Sequence, residues 1–283
     1  MKTGIIINGF EPEEVRKNAA HIASLGYDTV DMQAFIDTET GLFSCSDGEY
    51  ERILREDARA IRESGLEISQ VHGPWRYPPR DASPEDRAER FGKMSRAIVG
   101  TSLLGCRYMV VHPLMPFGRE DNDEKTVWEV NVAFFRELAK VAAKHGVVVC
   151  LENMPFPGQS QASAPNTLRL IHDIGAEGIG FCLDTGHCLR TGDEPSEALR
   201  LAIKEKHLVL HVHDNDGTKD QHLIPGRGIA DWKTFARTLR EVGFSGSVSI
   251  ETHLHLDGMS PEEALAEERE LYRAAREIAE NEI

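Results

Sequence analysis

The chain has 283 residues, 40% of them apolar, and a formal net charge of −15. This length and apolar content allow one large α/β domain with a core of its own, while the negative charge opposes non-specific binding of phosphate backbones and disfavours a nucleic-acid partner. The apolar runs are too short to span a membrane and the N-terminus lacks a signal-peptide core, so we expect a cytoplasmic protein without a membrane partner.

A short β-branched run, a loop and an amphipathic helical stretch recur along the chain. The strands are predicted at Gly4–Asn8, Thr29–Gln33, Glu67–His72, Tyr108–His112, Val147–Glu152, Ile179–Asp184, Leu208–His213 and Ser247–Glu251. Helices predicted between and after them include Glu13–Leu25, Tyr50–Ser64, Pro84–Leu104, Lys125–His145, Asp231–Val242 and Pro261–Glu280. Strands that alternate with helices indicate parallel pairing, so we predict a single-domain (β/α)8 TIM barrel over residues 1–283. Periodicity alone leaves two separate α/β sheets as an alternative.

Six of these segments carry a histidine or a carboxylate near the end of the strand. These residues are His72, His112, Glu152, Asp184, His211 and Glu251. A buried strand has no need of a charge there, because an unpaired buried charge is costly. Active sites of the barrel fold lie at the C-terminal ends of the strands, so we expect these side chains to converge on one site.

Four of the six residues form the primary candidate site. Glu152, Asp184, His211 and Glu251 offer three carboxylates and one imidazole, a ligand set that suits a divalent metal, Mn²⁺ or Zn²⁺ in particular. Glu152 and Glu251 lie on strands placed to flank a substrate carbon, where one glutamate could remove a proton and the other return one. The ion would stabilise the enediolate, and the outcome would be isomerisation or epimerisation of a sugar.

A wider set of residues surrounds these four. Its additional members are His72, His112, His187, Asp220 and His222. The nine residues together could bind up to three ions, and so many histidines favour Zn²⁺. His187 lies three residues after Asp184 and is expected to contact either a substrate oxygen or a second ion. A structural role in a loop remains the alternative for His187, Asp220 and His222.

Other histidines and the cysteines receive simpler interpretations. His213, His253 and His255 alternate with strand-end residues and are interpreted either as neighbours of the site or as exposed side chains. The five cysteines are an odd number without paired spacing, which is typical of reduced thiols in a cytosolic protein. Cys188 follows His187 directly, but we do not expect it to be a ligand.

Several motifs resemble those of the xylose-isomerase-like barrel superfamily, which holds sugar isomerases and epimerases, inosose-type dehydratases and endonuclease IV. They are VVHP, LEN, LDTGH, HVHDND, DQHLIPGRGIADW and SIET. The resemblance implies that the positions of Glu152, Asp184, His211 and Glu251 hold one metal, as in the sugar epimerases, with the two glutamates as acid and base. In endonuclease IV nine residues hold a trinuclear zinc site, and their counterparts here are the nine residues named above.

The sequence thus favours a metal-dependent isomerase or epimerase acting on a sugar or sugar phosphate. An apurinic-site nuclease of the endonuclease IV type is the leading alternative, although only the loop Trp75-Arg76-Tyr77, stiffened by Pro78-Pro79-Arg80, could kink a duplex. A polyol dehydratase and a catalytically silent sugar-binding or metal-storing barrel are further alternatives. Helix faces of barrels often pair, so a homo-oligomer also remains open.

Overall fold

The computed structural model describes residues 1–75 and 81–281, and it contains one sheet of eight parallel strands. The strands are β1 Lys2–Ile7, β2 Thr29–Met32, β3 Glu67–His72, β4 Tyr108–Val111, β5 Val148–Glu152, β6 Ile179–Asp184, β7 Leu208–His211 and β8 Ser247–Ile250. From β1 to β7, strands that are adjacent in sequence are adjacent in the sheet, and β1 also pairs with β8. The predicted TIM barrel is confirmed, and the alternative of two separate sheets is wrong.

The barrel closes between β7 and β8 only at the C-terminal ends of these strands. The Val212 N–H donates to the Ser249 carbonyl at 2.8 Å, and the Glu251 N–H donates to the Val212 carbonyl at 3.1 Å. Closure therefore occurs at the level of the predicted site, and this bridge fixes His211 and Glu251 on either side of the seam.

Ten helices of the described residues surround the barrel. They are α1 Pro12–Leu25, α2 Gly41–Ser44, α3 Asp47–Glu63, α4 Pro84–Leu103, α5 Glu124–Lys144, α6 Ala164–Ile174, α7 Thr185–Thr191, α8 Pro195–Ala202, α9 Trp232–Glu241 and α10 Pro261–Glu280. The six predicted helices are all present, within a few residues of their predicted ends. The largest difference is at α3, which begins at Asp47 because the Ser46 side chain accepts the Glu49 N–H as an N-cap.

Small and apolar side chains fill the middle of the barrel below the strand ends. Val110, Val148, Cys150, Cys182 and Val209 form one buried cluster there. All five cysteines of the chain are free thiols, and four of them are buried, as expected for reduced cysteines. No helix in the described part of the chain is both long and apolar enough to span a bilayer.

Candidate metal centre

The parallel register of the strands brings the predicted residues to one end of the barrel. Glu152, Asp184 and His211 are the last residues of β5, β6 and β7, and Asp184 pairs directly with His211 across the β6–β7 ladder. Glu251 follows β8 by one residue, and all four side chains are buried. Because these strands run in the same direction, charges separated widely in sequence share one layer.

The four residues of the primary set form a compact group whose ligand atoms all lie within 4.8 Å of one another. His211 Nδ1 is 2.6 Å from Glu152 Oε1 and 3.1 Å from Glu251 Oε2. Asp184 Oδ1 accepts the His187 N–H as the N-cap of α7, whereas Asp184 Oδ2 is buried without a hydrogen-bond partner. Buried oxygens without partners at the centre of three carboxylates and an imidazole fit a divalent ion.

Glu152 also belongs to a second group, with His72 and His112. Its Oε2 is 3.0 Å from His112 Nε2 and 3.7 Å from His72 Nε2. The Nδ1 of His72 lies 2.8 Å from the Gly73 carbonyl and can donate only to that oxygen, which leaves Nε2 as the acceptor nitrogen. The two oxygens of Glu152 thus face two neighbouring clusters of ligand atoms.

A third group combines His187, His213, Asp220 and His222, whose ligand atoms again lie within 4.8 Å of one another. Each imidazole has its Nδ1 next to a backbone carbonyl: at 2.7 Å for His187, 3.3 Å for His213 and 2.7 Å for His222. An Nδ1–H that donates to a carbonyl leaves the Nε2 lone pair free, and this arrangement is common around metal-binding histidines. The Nε2 atoms of His187 and His222 each lie 3.3 Å from Asp220 Oδ2. His213 Nε2 lies 3.9 Å from Asp220 Oδ1 but only 3.0 Å from Asp184 Oδ1, so it connects this group to the primary one.

His222 occupies a strained backbone position within this group. Its φ is 50°, in the left-handed region that residues other than glycine rarely adopt. The contact of its Nδ1 with the Glu251 carbonyl connects the loop after β7 to the end of β8. Strain of this kind is concentrated at functional sites, where the surroundings hold the residue in place.

The charges at the site shift each other's pKa values. Burial acts to raise the pKa of Glu152, but the charge of His211 and the hydrogen bonds from His112 and His211 outweigh it and hold that pKa well below its usual range. Burial likewise opposes the ionised form of Glu251, yet His211 keeps its pKa low. For His211, burial is outweighed by the surrounding acidic groups, which raise its pKa well above the ordinary value. Burial dominates at His112 and lowers its pKa to about 4.

An open cleft of about 240 Å³ lies above these groups. Its lining consists of Gln33, Ile36, His72, Trp75, His112, Met154, Pro155, Phe156, His187, Asp220, His222, Glu251 and His253. Six of the nine predicted site residues line this cleft, whereas Glu152, Asp184 and His211 lie buried beneath it. Trp75, Met154 and Phe156 form an apolar wall. Residues 76–80, most of the loop considered as a duplex-kinking element, lie outside the described residues.

The structure also places further residues at the site. His213 is fully buried in the group around Asp220, as its interpretation as a neighbour of the site predicts, and its alternative interpretation as an exposed side chain is wrong. The sequence interpretation did not assign Asp31, Cys182 or Asn153 to the site. Asp31 contacts His211, and Cys182 lies in ligand range of Glu152 and His211. Asn153 aligns Asp184 by accepting its N–H at 2.8 Å. Asp31 could have been found as a carboxylate inside the short apolar strand TVDM, whereas the positions of the other residues depend on the three-dimensional packing.

The sequence profile of the xylose isomerase-like TIM barrel family matches residues 19–275. The chain belongs to this family. Among curated relatives of the xylose isomerase-like barrel, an uncharacterised protein of Methanocaldococcus jannaschii is 28% identical over all of this chain and 93% of that protein. Inosose isomerase of Bacillus subtilis is 26% identical, but the match covers only 52% of this chain and 54% of the enzyme.

Solved structures show the same fold at low sequence identity. The 3-keto-D-glucoside 4-epimerase YcjR from E. coli superposes with a TM-score of 0.75 at 20% identity, covering 98% of this chain and 99% of the epimerase. The IolI protein, solved with a bound zinc atom, superposes with a TM-score of 0.72 at 20% identity over 98% of this chain and 96% of IolI. At such identities the likeness concerns the barrel itself.

Proposed function

We propose that this protein is a metal-dependent isomerase or epimerase of a sugar or a related polyol ketone. The observation that carries the proposal is the pair Glu152 and Glu251, both buried and both in contact with the one imidazole of His211. Relatives named as inosose isomerase and D-psicose 3-epimerase support the same class of reaction. The zinc atom bound by the IolI protein, which has the same fold, supports a metal-binding site in this chain.

The residues that would hold the ion are Glu152, Asp184, His211 and Glu251. When bound there, a divalent ion supplies positive charge that stabilises negative charge on a substrate oxygen. The fit depends on Asp184 Oδ2, which is buried and has no hydrogen-bond partner among the described residues. This ligand set accepts both Mn²⁺ and Zn²⁺, and elemental analysis of the purified protein would distinguish them.

The two glutamates carry the proton transfer in this proposal. One carboxylate removes the proton from the carbon next to the substrate carbonyl, and the electron pair of that C–H bond moves toward the carbonyl oxygen. The other glutamate, in its protonated form, returns a proton, either to the opposite face of the same carbon or to the neighbouring carbon. In the second case the proton of the adjacent hydroxyl group also passes to the former carbonyl oxygen. The first outcome is epimerisation and the second is aldose–ketose isomerisation.

The walls of the cleft can orient a bound substrate. On one side, Trp75, Met154 and Phe156 offer an apolar surface on which the C–H face of a sugar ring can pack. On the floor, His187 Nε2 faces the cleft near Asp220, where it can hydrogen-bond a substrate hydroxyl. A polar floor opposite an apolar wall suits a molecule with hydroxyl groups on one edge and C–H bonds on its faces.

The test is turnover of a panel of ketoses, aldoses and inososes in D₂O, followed by NMR, with protein loaded separately with Mn²⁺ and Zn²⁺. The proposal predicts a new stereoisomer or carbonyl isomer and uptake of deuterium at the reacting carbon, both lost in Glu251→Gln. Loss of water from the substrate in place of rearrangement would indicate the dehydratase alternative. Binding of these compounds without any exchange would contradict the proposal and support the silent barrel.

Metal-assisted phosphodiester hydrolysis is kept as a second candidate because of one observation. The nine residues of the wider set lie in three adjacent groups of ligand atoms, and Glu152 belongs to two of these groups. Such neighbouring sites are used by enzymes that cleave phosphate esters. Cleavage of a duplex with one abasic site by zinc-loaded protein, abolished by a chelator, would favour this candidate. If protein with a full zinc complement did not cleave this duplex, the phosphodiesterase candidate would be ruled out.

A further inference from the structure

We infer that Asp31 is a positioning residue that fixes the His211 ring so that Nδ1, and not Nε2, is its metal-binding nitrogen. Asp31 lies in the middle of β2, and its Oδ2 is 2.8 Å from His211 Nε2. Both side chains are fully buried. The inference rests on the proposed ion site and does not depend on which reaction the site catalyses.

The contacts of the two ring nitrogens lead to this assignment. An ionised carboxylate only accepts hydrogen bonds, so the nitrogen that faces Asp31 carries the hydrogen. The other nitrogen, Nδ1, faces Glu152 Oε1 at 2.6 Å and Glu251 Oε2 at 3.1 Å. Both ring nitrogens thus face carboxylates, but only Nδ1 faces members of the group that would hold the ion. A bound ion would therefore take the place of the hydrogen on Nδ1, while Asp31 keeps the hydrogen on Nε2.

Asp31 is itself held in place by Gln70 on the neighbouring strand β3. The Gln70 Nε2 group donates to Asp31 Oδ2 at 3.0 Å and to the Leu210 carbonyl at 3.2 Å. Leu210 precedes His211, so one amide group aligns the carboxylate and the backbone that carries its imidazole partner. Strands β2, β3 and β7 are thereby joined across the inside of the barrel.

A purely structural role would not require a carboxylate at this position. Among the described residues, the only ion pair of Asp31 is the one with His211, and Asp31 Oδ1 is buried without a hydrogen-bond partner. Burial of an acid with so few partners is unfavourable unless its charge is used. Carboxylates that accept from a metal-bound histidine orient the ring and make its other nitrogen a stronger ligand, and their loss typically lowers metal affinity 10–100-fold.

The first experiment needs only the wild-type protein. Two-bond ¹H–¹⁵N NMR of the zinc-loaded protein distinguishes a protonated ring nitrogen from a metal-bound one, with the His211 signals identified by their loss in His211→Asn. The expected result is a protonated Nε2 and a metal-bound Nδ1 in His211. A protonated Nδ1 with zinc on Nε2 would overturn the inference.

The second experiment compares zinc affinities, measured by competition with a chelating dye. Asp31→Leu removes the acceptor and should weaken binding about 10–100-fold, whereas Asp31→Asn keeps an oxygen acceptor and should lose less. Asp57→Asn is the matched control, since Asp57 is another fully buried carboxylate but lies on helix α3. The control should bind zinc as the wild type does.

The outcomes of these experiments distinguish a failure of this inference from a failure of the proposed function. Unchanged zinc affinity in a folded Asp31→Leu variant, checked by circular dichroism without metal, would overturn the role of Asp31 alone. If that variant does not fold, the wild-type NMR result decides the question. A wild-type protein that binds no divalent ion would overturn both the proposed ion site and the role of Asp31.

Discussion

Two buried carboxylates in different regions of the protein have pKa values that are shifted in opposite directions. Glu152, at the end of β5, accepts a hydrogen bond from His211 at 2.6 Å and lies 3.0 Å from His112. Asp57, on helix α3, is also fully buried, yet neither of its oxygens has a hydrogen-bond partner. The pKa of Glu152 is held well below its usual range, whereas burial raises the pKa of Asp57 to about 8.

The comparison shows that burial alone does not decide the charge of an acid in this fold. Burial favours the neutral form at both positions, but the charge of His211 and hydrogen bonds from the neighbouring histidines reverse the effect at Glu152. At Asp57 the nearby carboxylates Glu11 and Glu56 raise the pKa further, and the charge of Arg52 only partly opposes them. The barrel end is thus built to keep its carboxylates ionised, while the helix layer keeps Asp57 neutral at neutral pH.

The largest expected effect is loss of turnover on replacing either glutamate of the site. Glu152→Gln and Glu251→Gln remove a proton-transfer group and should each lower kcat by about 10²–10⁴-fold on a confirmed substrate. Their far-UV circular dichroism should match that of the wild type. Asp57→Asn, measured in parallel, should keep its kcat. Near-wild-type turnover in either glutamine variant would contradict the proposed mechanism.

Binding of the ion should stabilise the folded protein. An ion that binds only the native state adds about 2.7 kcal/mol to the free energy of unfolding when its concentration is 100 times Kd. We expect this increase on adding Zn²⁺ or Mn²⁺ to chelator-treated protein, followed by urea denaturation. In Asp184→Ala, which lacks one of the four proposed ligands, the increase should be much smaller. Equal increases in the two proteins would show that the ion binds elsewhere.

Asp57→Asn should change how stability depends on pH. In the wild type the folded-state pKa of about 8 lies above the ordinary value of 3.8, so the unfolded chain loses this proton first as the pH rises. Between these two values the wild type therefore loses stability relative to the variant, by at most about 1.4 kcal/mol per pH unit. Urea denaturation from pH 5 to pH 9 measures the difference. Parallel pH profiles for the two proteins would show that Asp57 is ionised in the native state.

The smallest expected effect concerns the acidic neighbour of Asp57. Glu11→Gln removes a negative charge that raises the Asp57 pKa, and it should lower the midpoint of the pH-dependent stability change by a few tenths of a unit. Glu13→Gln is the control, because Glu13 lies in the first turn of α1 and is not among the groups that shift Asp57. An equal shift in both variants would indicate a general effect of net charge.

Much of the fold follows from local features of the sequence. Short β-branched runs separated by amphipathic helices predict the alternation of strands and helices, and Gly26 ends α1 in the left-handed conformation that glycine favours. Charges near strand ends are informative because a parallel barrel brings all these ends together. This pattern predicts the grouping of Glu152, Asp184, His211 and Glu251, whose ligand atoms lie within 4.8 Å of one another in the structure.

The remainder of the site depends on contacts between residues that are distant in sequence. Asp31 lies inside its strand rather than at the end, and its partner His211 is 180 positions further along the chain. The burial of His213 requires the loop after β7 to fold back, so that the His213 and His222 rings stack with centroids 4.0 Å apart. No pattern within a single strand or helix specifies either contact.

The most direct test of the account is the metal content of the protein, determined by elemental analysis after purification without a chelator or a metal-affinity tag. We predict at least one divalent transition-metal ion per chain. A content of about one ion per chain would support the site formed by Glu152, Asp184, His211 and Glu251. Two or three zinc ions per chain would show that the wider set of nine residues binds metal. Phosphodiesters would then be the first substrates to test. Folded protein that contains no ion and takes none up from solution would contradict the central claim.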